Sequence, residues 1–379
     1  MPSHLATLSD RHSRRAAAAL GLSLSTDTLL YLLLPMYADL FAVSLFEAGI
    51  LLAANRLVRI VGYGWIARLY ERRGDRLICT AAVVCAAVCS LGYALLSGFW
   101  TLLPLRMVWG MSYAALNLST QALATEVPLG AARRSGQSRA LIALGPAIAL
   151  PLGALLSRSL GPRAIFFILS VVALAAVVVT RRLPSRHHEV GLAERRFEWP
   201  NRLDVWSFVE GLTLDGLFII GLSYLGKDLY AGSAVVIAGC LLAIRYACEV
   251  LLGPLGGRMA DSVGPERLLV VLSLLTCAAL VGFGADWLWS CAALILVLRA
   301  LQMPLMGPIV ARRTPGPDRV RALASRSVWR DIGAGTGPIL AGFLLPRMPA
   351  LWIYASAATL LGLCALACAR DARPTLAGG

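Results

Sequence analysis

Ala67-Arg-Leu-Tyr-Glu71-Arg72-Arg-Gly74-Asp-Arg76 and Gly257-Arg-Met-Ala-Asp261-Ser-Val-Gly264-Pro-Glu-Arg267 are two short polar stretches in a predominantly apolar chain. Laid one over the other, they put Arg68 on Arg258, Glu71 on Asp261 and Gly74 on Gly264. The same register runs outward, so that Ala48-Gly49-Ile50-Leu51-Leu52-Ala53 falls on Ala238-Gly239-Cys240-Leu241-Leu242-Ala243. Slightly different offsets bring Asp27 onto Asp215 and Arg106 onto Arg299. The chain is therefore two related halves, and the repeat includes charges set inside apolar runs.

Those runs decide the solvent. Of 379 residues, 58% are hydrophobic and 15% charged, against about 25% charged in a soluble domain. So few charges cannot cover two or three soluble domains. A bilayer core takes about 20 apolar residues per helix, and an apolar segment in lipid must satisfy its own backbone hydrogen bonds. The pattern predicts an all-α integral membrane protein with helices near 18–40, 44–66, 77–97, 101–125, 137–157, 164–182, 205–227, 232–255, 268–286, 288–311, 326–345 and 350–369. The polar, basic N-terminus to Arg15 lacks a cleavage site after a short apolar core and reads as a tail. Residues 183–204 are the longest polar stretch. They read as a linker between an N-terminal six-helix bundle, 1–182, and a C-terminal one, 205–379, the plan of two pseudo-symmetric bundles around a midplane site.

The net charge of +14 points away from nucleic acid, because the arginines sit in short loops on one side of the predicted helices. That side holds Arg14, Arg15, Arg68, Arg72, Arg73, Arg76, Arg133 and Arg134, the linker arginines, then Arg258, Arg267, Arg312, Arg313, Arg319, Arg321, Arg370 and Arg373. The other side has Arg158, Arg163, Lys227 and Arg347. The excess of positive charge marks the cytoplasmic face, which gives a multi-pass protein of a bacterial inner membrane with both termini cytoplasmic. The nine cysteines lie in apolar stretches without a CxxC pair and read as packing residues.

The two polar stretches resemble the G-x-L-x-D-R-x-G-R-R signature of the major facilitator superfamily. The second copy is close; the first has Ala67 for the leading Gly and Glu71 for Asp, keeping a small residue and a carboxylate. Arg106-Met-Val-Trp109-Gly110 resembles the family's R-x-x-Q-G pattern with Trp109 in place of Gln, and Arg299-Ala-Leu-Gln302 keeps the Gln. Gly333-x-Gly335-x-Gly337-Pro338 with Ala341-Gly342 resembles the G-P-x-x-G-G pattern of drug:proton antiporters, although that pattern belongs on the fifth helix, where Gly145-Pro146 and Pro151-Leu-Gly153 match it only in part. The resemblance implies alternating-access transport by two six-helix bundles. It makes Glu71, Arg72, Gly74, Asp261, Gly264 and Arg267 a latch, since a small residue lets helix ends approach and an acid can bind a neighbouring helix N-terminus.

A charge at the bilayer centre costs at least about 2.5–3.5 kcal/mol, so buried charges mark pairing, substrate or proton work. Asn55, Arg56, Arg59, Arg106, Arg245, Arg299 and Gln302 are the candidate substrate-binding residues, because guanidinium binds carboxylate or phosphate through two parallel bonds. Arg245 and Glu249 stand four apart and can pair along one helix. Arg330 and Asp331 read as gate residues near the cytoplasmic end of the eleventh helix, and Glu210 as reaching the interface. Asp27 and Asp215 are the proton candidates, since a desolvated carboxylate can load and release protons near neutral pH; sodium is the runner-up ion.

The sequence gives no sign of an enzyme. His4, His12, His187 and His188 all fall in the tail or linker, no His/Cys cluster predicts a metal or cofactor site, and no GxxxxGK[ST] loop is present. The reading is a monomeric, proton-coupled carrier of a small organic solute, an organic anion, with export by antiport. The alternatives are a multidrug or cation pump, a lipid flippase on the same fold, and a non-transporting membrane receptor.

Overall fold

A computed structural model describes residues 2–185, 199–225 and 234–370. Most of the linker, with His187 and His188, lies outside the described residues, as do Lys227, Arg373 and the side chains of His4, Arg158 and Cys240. The helices are α1 Pro2–Met36, α2 Leu45–Leu95, α3 Phe99–Ala124, α4 Ala131–Ser159, α5 Pro162–Thr180, α6 Arg202–Glu210, α7 Phe218–Leu225, α8 Ala234–Val263, α9 Pro265–Gly284, α10 Leu288–Gln302, α11 Met306–Arg313, α12 Arg319–Leu344 and α13 Ala350–Arg370.

They make twelve crossings. Helix α2 turns back at Gly74, whose φ of 72° and ψ of 171° leave the helical region, so its two arms are the second and third crossings. Gly264, at φ 96°, makes the matching break between α8 and α9. Both need a left-handed backbone that glycine adopts without penalty, which explains the glycine at the same place in each repeat. The seventh crossing is α6 and α7 joined by the π-helical stretch Gly211–Leu217, and the tenth is α10 and α11 broken beside Pro304.

The outer surface is apolar. Phe46, Leu57, Val61, Leu155, Val171, Leu251 and Leu363 are exposed, as lipid-facing residues must be when no water covers them. The polar side chains point inward: Asp27, Asn55, Arg59, Arg106, Glu210, Glu249 and Arg299 are all buried. All eight cysteines whose side chains are described are free thiols.

Close backbone packing sets the inner helices equivalently in both halves. A Cβ on Gly145 of α4 would strike the Gly21 carbonyl of α1, and one on Gly337 of α12 would strike Gly216 and the Leu212 carbonyl. The glycine pattern thus serves the α1–α4 contact in one half and the π-helix–α12 contact in the other. Contact between the halves is equally tight between α4 and α8, where Gly136 faces the Gly253 carbonyl and Gly257 the Ala132 carbonyl.

The structure corrects several boundaries. The N-terminal segment is no separate tail: α1 is continuous from Pro2, with Ser9 and Ser13 buried and bonded to Leu123 O and Ser138 Oγ at 3.2 and 2.7 Å. Helices α4 and α12 begin at Ala131 and Arg319, six and seven residues before the predicted starts at 137 and 326. Polar residues beyond the apolar stretch are still helical there, because they pair across the bundle instead of entering water.

Candidate substrate cavity

Between the halves lies a cavity of about 350 Å³. Its wall carries six arginines, Arg56, Arg59, Arg139, Arg245, Arg299 and Arg330, against four carboxylates, Asp27, Asp215, Glu249 and Asp331. The surplus is therefore positive. Between the charges the wall is apolar and aromatic, with Leu24, Ile142, Leu150, Ile219, Ile220, Leu242, Tyr31, Tyr113 and Tyr246.

The repeated Asp and Arg meet in both halves. In the first, Arg106 of α3 donates to Asp27 Oδ1 at 2.5 Å and to the Leu51 carbonyl at 3.0 Å, while Asn55 Nδ2 reaches the two Asp27 oxygens at 3.0 and 3.2 Å. In the second, Arg299 of α10 donates to Asp215 Oδ1 at 2.7 Å. Asp215 sits in the π-helical turn and also accepts from Arg245 at 2.9 Å and Arg330 at 2.6 Å. The network continues from Arg330 to Glu210 at 2.9 Å and from Arg299 to Glu249 at 2.6 Å. Each buried charge in it has an opposite neighbour, the condition under which burial is tolerable.

Two contacts cross the cavity between halves. Arg59 pairs with Asp331 at 3.1 Å and stacks on Tyr113 at 4.4 Å from the ring centre. Arg56 donates to the Ala334 carbonyl at 2.8 Å and has no carboxylate partner among the described residues. Arg139 has neither an ion pair nor a hydrogen bond among them. The buried Arg59 Nε and Arg245 Nε also have no hydrogen-bond acceptor there.

The family profile described as Major Facilitator Superfamily matches residues 16–226 and again 205–378. The chain belongs to the Major Facilitator Superfamily. It is a membrane transporter. Among its relatives, it is 25% identical over 315 residues to the multidrug resistance protein MdtG of Dickeya zeae (strain Ech586), covering 77% of this chain and 76% of that one. With the MdtG of Salmonella typhi the identity is 24% over 336 residues, 81% and 82% of the two chains. The fold matches the crystal structure of the human organic anion transporter MFSD10 with a TM-score of 0.77 at 15% identity, over 95% of this chain and 99% of that one. It matches the proton:xylose symporter XylE with a TM-score of 0.75 at 13% identity, over 96% and 95%.

In this facilitator the signature loops join the halves. Glu71, 3% exposed, accepts from Arg321 of α12 at 3.0 and 3.2 Å. Asp261 Oδ2 accepts from the backbone N–H of Arg133 at 3.1 Å. That N–H is in the first turn of α4, where amides lack intrahelical acceptors and carry partial positive charge. Arg319 donates to the Thr125 carbonyl beside them. The described polar contacts between halves run from this end inward to Arg56 and Arg59, so this end of the bundle is sealed.

Several predicted residues stand elsewhere than expected. Arg72 and Arg267 are exposed and bond neither latch carboxylate; Arg321 and a helix N-terminus take that place. Arg330 and Asp331 are cavity residues in mid-helix, not near a helix end, because α12 starts seven residues earlier than predicted. Glu210 is buried on Arg330 and does not reach an interface. Arg245 lies 3.9 Å from Glu249 but 2.9 Å from Asp215, so its pairing runs between helices instead of along one. Arg106 and Asn55 stand behind Asp27, off the cavity wall. Gln302 is also off the wall, donating to Ser273 Oγ at 2.7 Å. Sequence reasoning missed Arg139 of α4, which a predicted helix start at 137 puts at a helix end, whereas α4 starts at Ala131 and carries Arg139 two turns into the bundle.

Proposed function

We propose that this facilitator exports a small or amphipathic organic anion across a bacterial inner membrane by proton antiport. The observation that carries the reading is the surplus of guanidinium on the cavity wall, with Arg56 and Arg139 lacking carboxylate partners. An anion bound there supplies the missing charge through paired N–H donors, and the leucine, isoleucine and tyrosine wall takes its apolar body. Arg56, Arg59, Arg139 and Arg245 are the binding arginines; Arg299 and Arg106 hold Asp215 and Asp27.

The arginine-rich end, with both termini, is cytoplasmic by the charge rule. The sealed latch end is then the cytoplasmic one, and the conformation is outward-facing. Glu71–Arg321 and Asp261 on the α4 N-terminus hold that state. Asp27 couples protons: it borders the cavity and has one guanidinium partner, so protonation breaks one ion pair and releases Arg106. Asp215, held by three guanidiniums, is structural.

A second reading, multidrug efflux of cationic compounds, is favoured by the name of the MdtG relatives and by the apolar share of the wall. The test is transport into proteoliposomes under an imposed pH gradient, with labelled organic anions and cationic drugs run in parallel. Gradient-driven accumulation of anions alone supports the proposal; accumulation of cations alone refutes it.

A further inference from the structure

Below the main cavity, toward the sealed end, lies a second and much smaller one of about 20 Å³. Such a space takes water-sized particles. It sits on the seam between the halves: α3 and α4 contribute Thr120, Gln121, Ser135 and Arg139, and the other half contributes Arg326 from α12 and Met303 at the α10–α11 break. Arg139, Ile142 and Met303 line both cavities, so the two adjoin.

Its charges are unbalanced. Arg326 is 3% exposed, and its described partners are neutral: Gln121 Oε1 at 3.2 Å and Ser207 Oγ at 3.4 Å. Arg330, one turn further along the same face, has both Glu210 and Asp215; Arg326 has no carboxylate within ion-pair distance among the described residues. Arg139 opposite has no ion pair at all among them. Two guanidiniums facing one small polar space, from opposite halves, are costly to bury without an anion. So small a space suits a monatomic ion better than a carboxylate or phosphate group with its substituent.

We propose that this pocket binds a halide, chloride in the cell, which bridges Arg139 and Arg326 and ties the halves together at the seam. Separating the halves pulls the two arginines apart, so the site exists only in the sealed conformation. A ligand that prefers one state shifts the population toward it, and chloride therefore stabilises the sealed end. This site shares Arg139 with the proposed substrate cavity, and Arg326, which does not line that cavity, distinguishes the two in a test that uses no transported solute.

The purified full-length protein is compared in sodium bromide and sodium gluconate at equal ionic strength. Bromide is expected to raise the Tm of the wild type saturably, and the rise is expected to vanish in Arg326→Gln and in Arg139→Gln while persisting in the surface control Arg347→Gln. An equal bromide shift in wild type and Arg326→Gln overturns the proposal. Crystals of the wild type exchanged into bromide decide the matter even if the variants fold poorly. An anomalous peak between Arg139 and Arg326 supports the site, and bromide-exchanged crystals with no peak there overturn it.

Discussion

Replacing Glu71 with Gln removes one charge from the seal without changing its shape. Glu71 is almost fully buried, while the Arg321 side chain is 33% exposed. An exposed pair contributes roughly 0.2–1 kcal/mol, and breaking a fully buried one costs about 3–5 kcal/mol. The one-third-exposed Arg321 can turn to water, so the loss falls between, at about 1–2 kcal/mol, or about 5- to 30-fold in the ratio of sealed to open states. Asp261→Asn weakens only a carboxylate at a helix N-terminus, about 0.3–1 kcal/mol, and shifts the ratio less. The assay is a spin-label distance between exposed Arg73 and Ser262, each replaced by Cys in a background without the native cysteines. Glu71→Gln should populate the longer distance, Asp261→Asn the same distance more weakly, and the double variant more than either. Identical distance distributions in wild type and Glu71→Gln would refute the latch.

Other substitutions probe the rest of the account. Asp27→Asn should abolish uphill accumulation in proteoliposomes while leaving counterflow exchange; accumulation against a gradient by the variant would remove Asp27 from proton coupling. Asp215→Asn leaves Arg245, Arg299 and Arg330 without their shared anion and should lower stability by about 3–5 kcal/mol, read as a drop in Tm; an unchanged Tm would show that the triple pairing is not what holds the second half. Gly337→Val forces a side chain onto Gly216 and the Leu212 carbonyl, overpacking worth about 1–3 kcal/mol, whereas Gly335→Ala, with nothing near its Cβ, should be silent. Equal Tm values for the two variants would contradict the packing role of the glycine pattern.

The fold was legible because its cause is composition and repetition. Apolar runs of bilayer length, arginines on one side and the doubled Gly74/Gly264 loop each constrain the same architecture. The pairing of Asp27 with Arg106 and of Asp215 with Arg299 was half legible: the repeat aligned the charges, but only the fold puts the first and fourth crossings of each half side by side. What was misread follows from one physical habit. A hydropathy reading ends a helix where charge begins, yet α4 and α12 carry charged turns within the bundle. That truncation puts Arg139 and Arg326 at helix ends and moves Arg330 and Asp331 toward one. The same truncation puts Arg321, the partner of Glu71, in a loop. No local pattern marks Asp261 as the acceptor for the Arg133 amide, because that contact joins residues 128 positions apart.

The central claim is that the cavity is built for negative charge. It is tested most directly by equilibrium binding of two ligands with the same apolar body, one ending in carboxylate and the other in trimethylammonium, to the purified protein and to Arg56→Lys. A hydrogen bond to a charged group contributes about 1.5–3 kcal/mol, so the carboxylate should bind at least about tenfold more tightly. Arg56→Lys keeps the charge but not the fork-shaped donor pair, and should lose most of that preference. Tighter binding of the trimethylammonium ligand, unchanged by Arg56→Lys, would contradict the account.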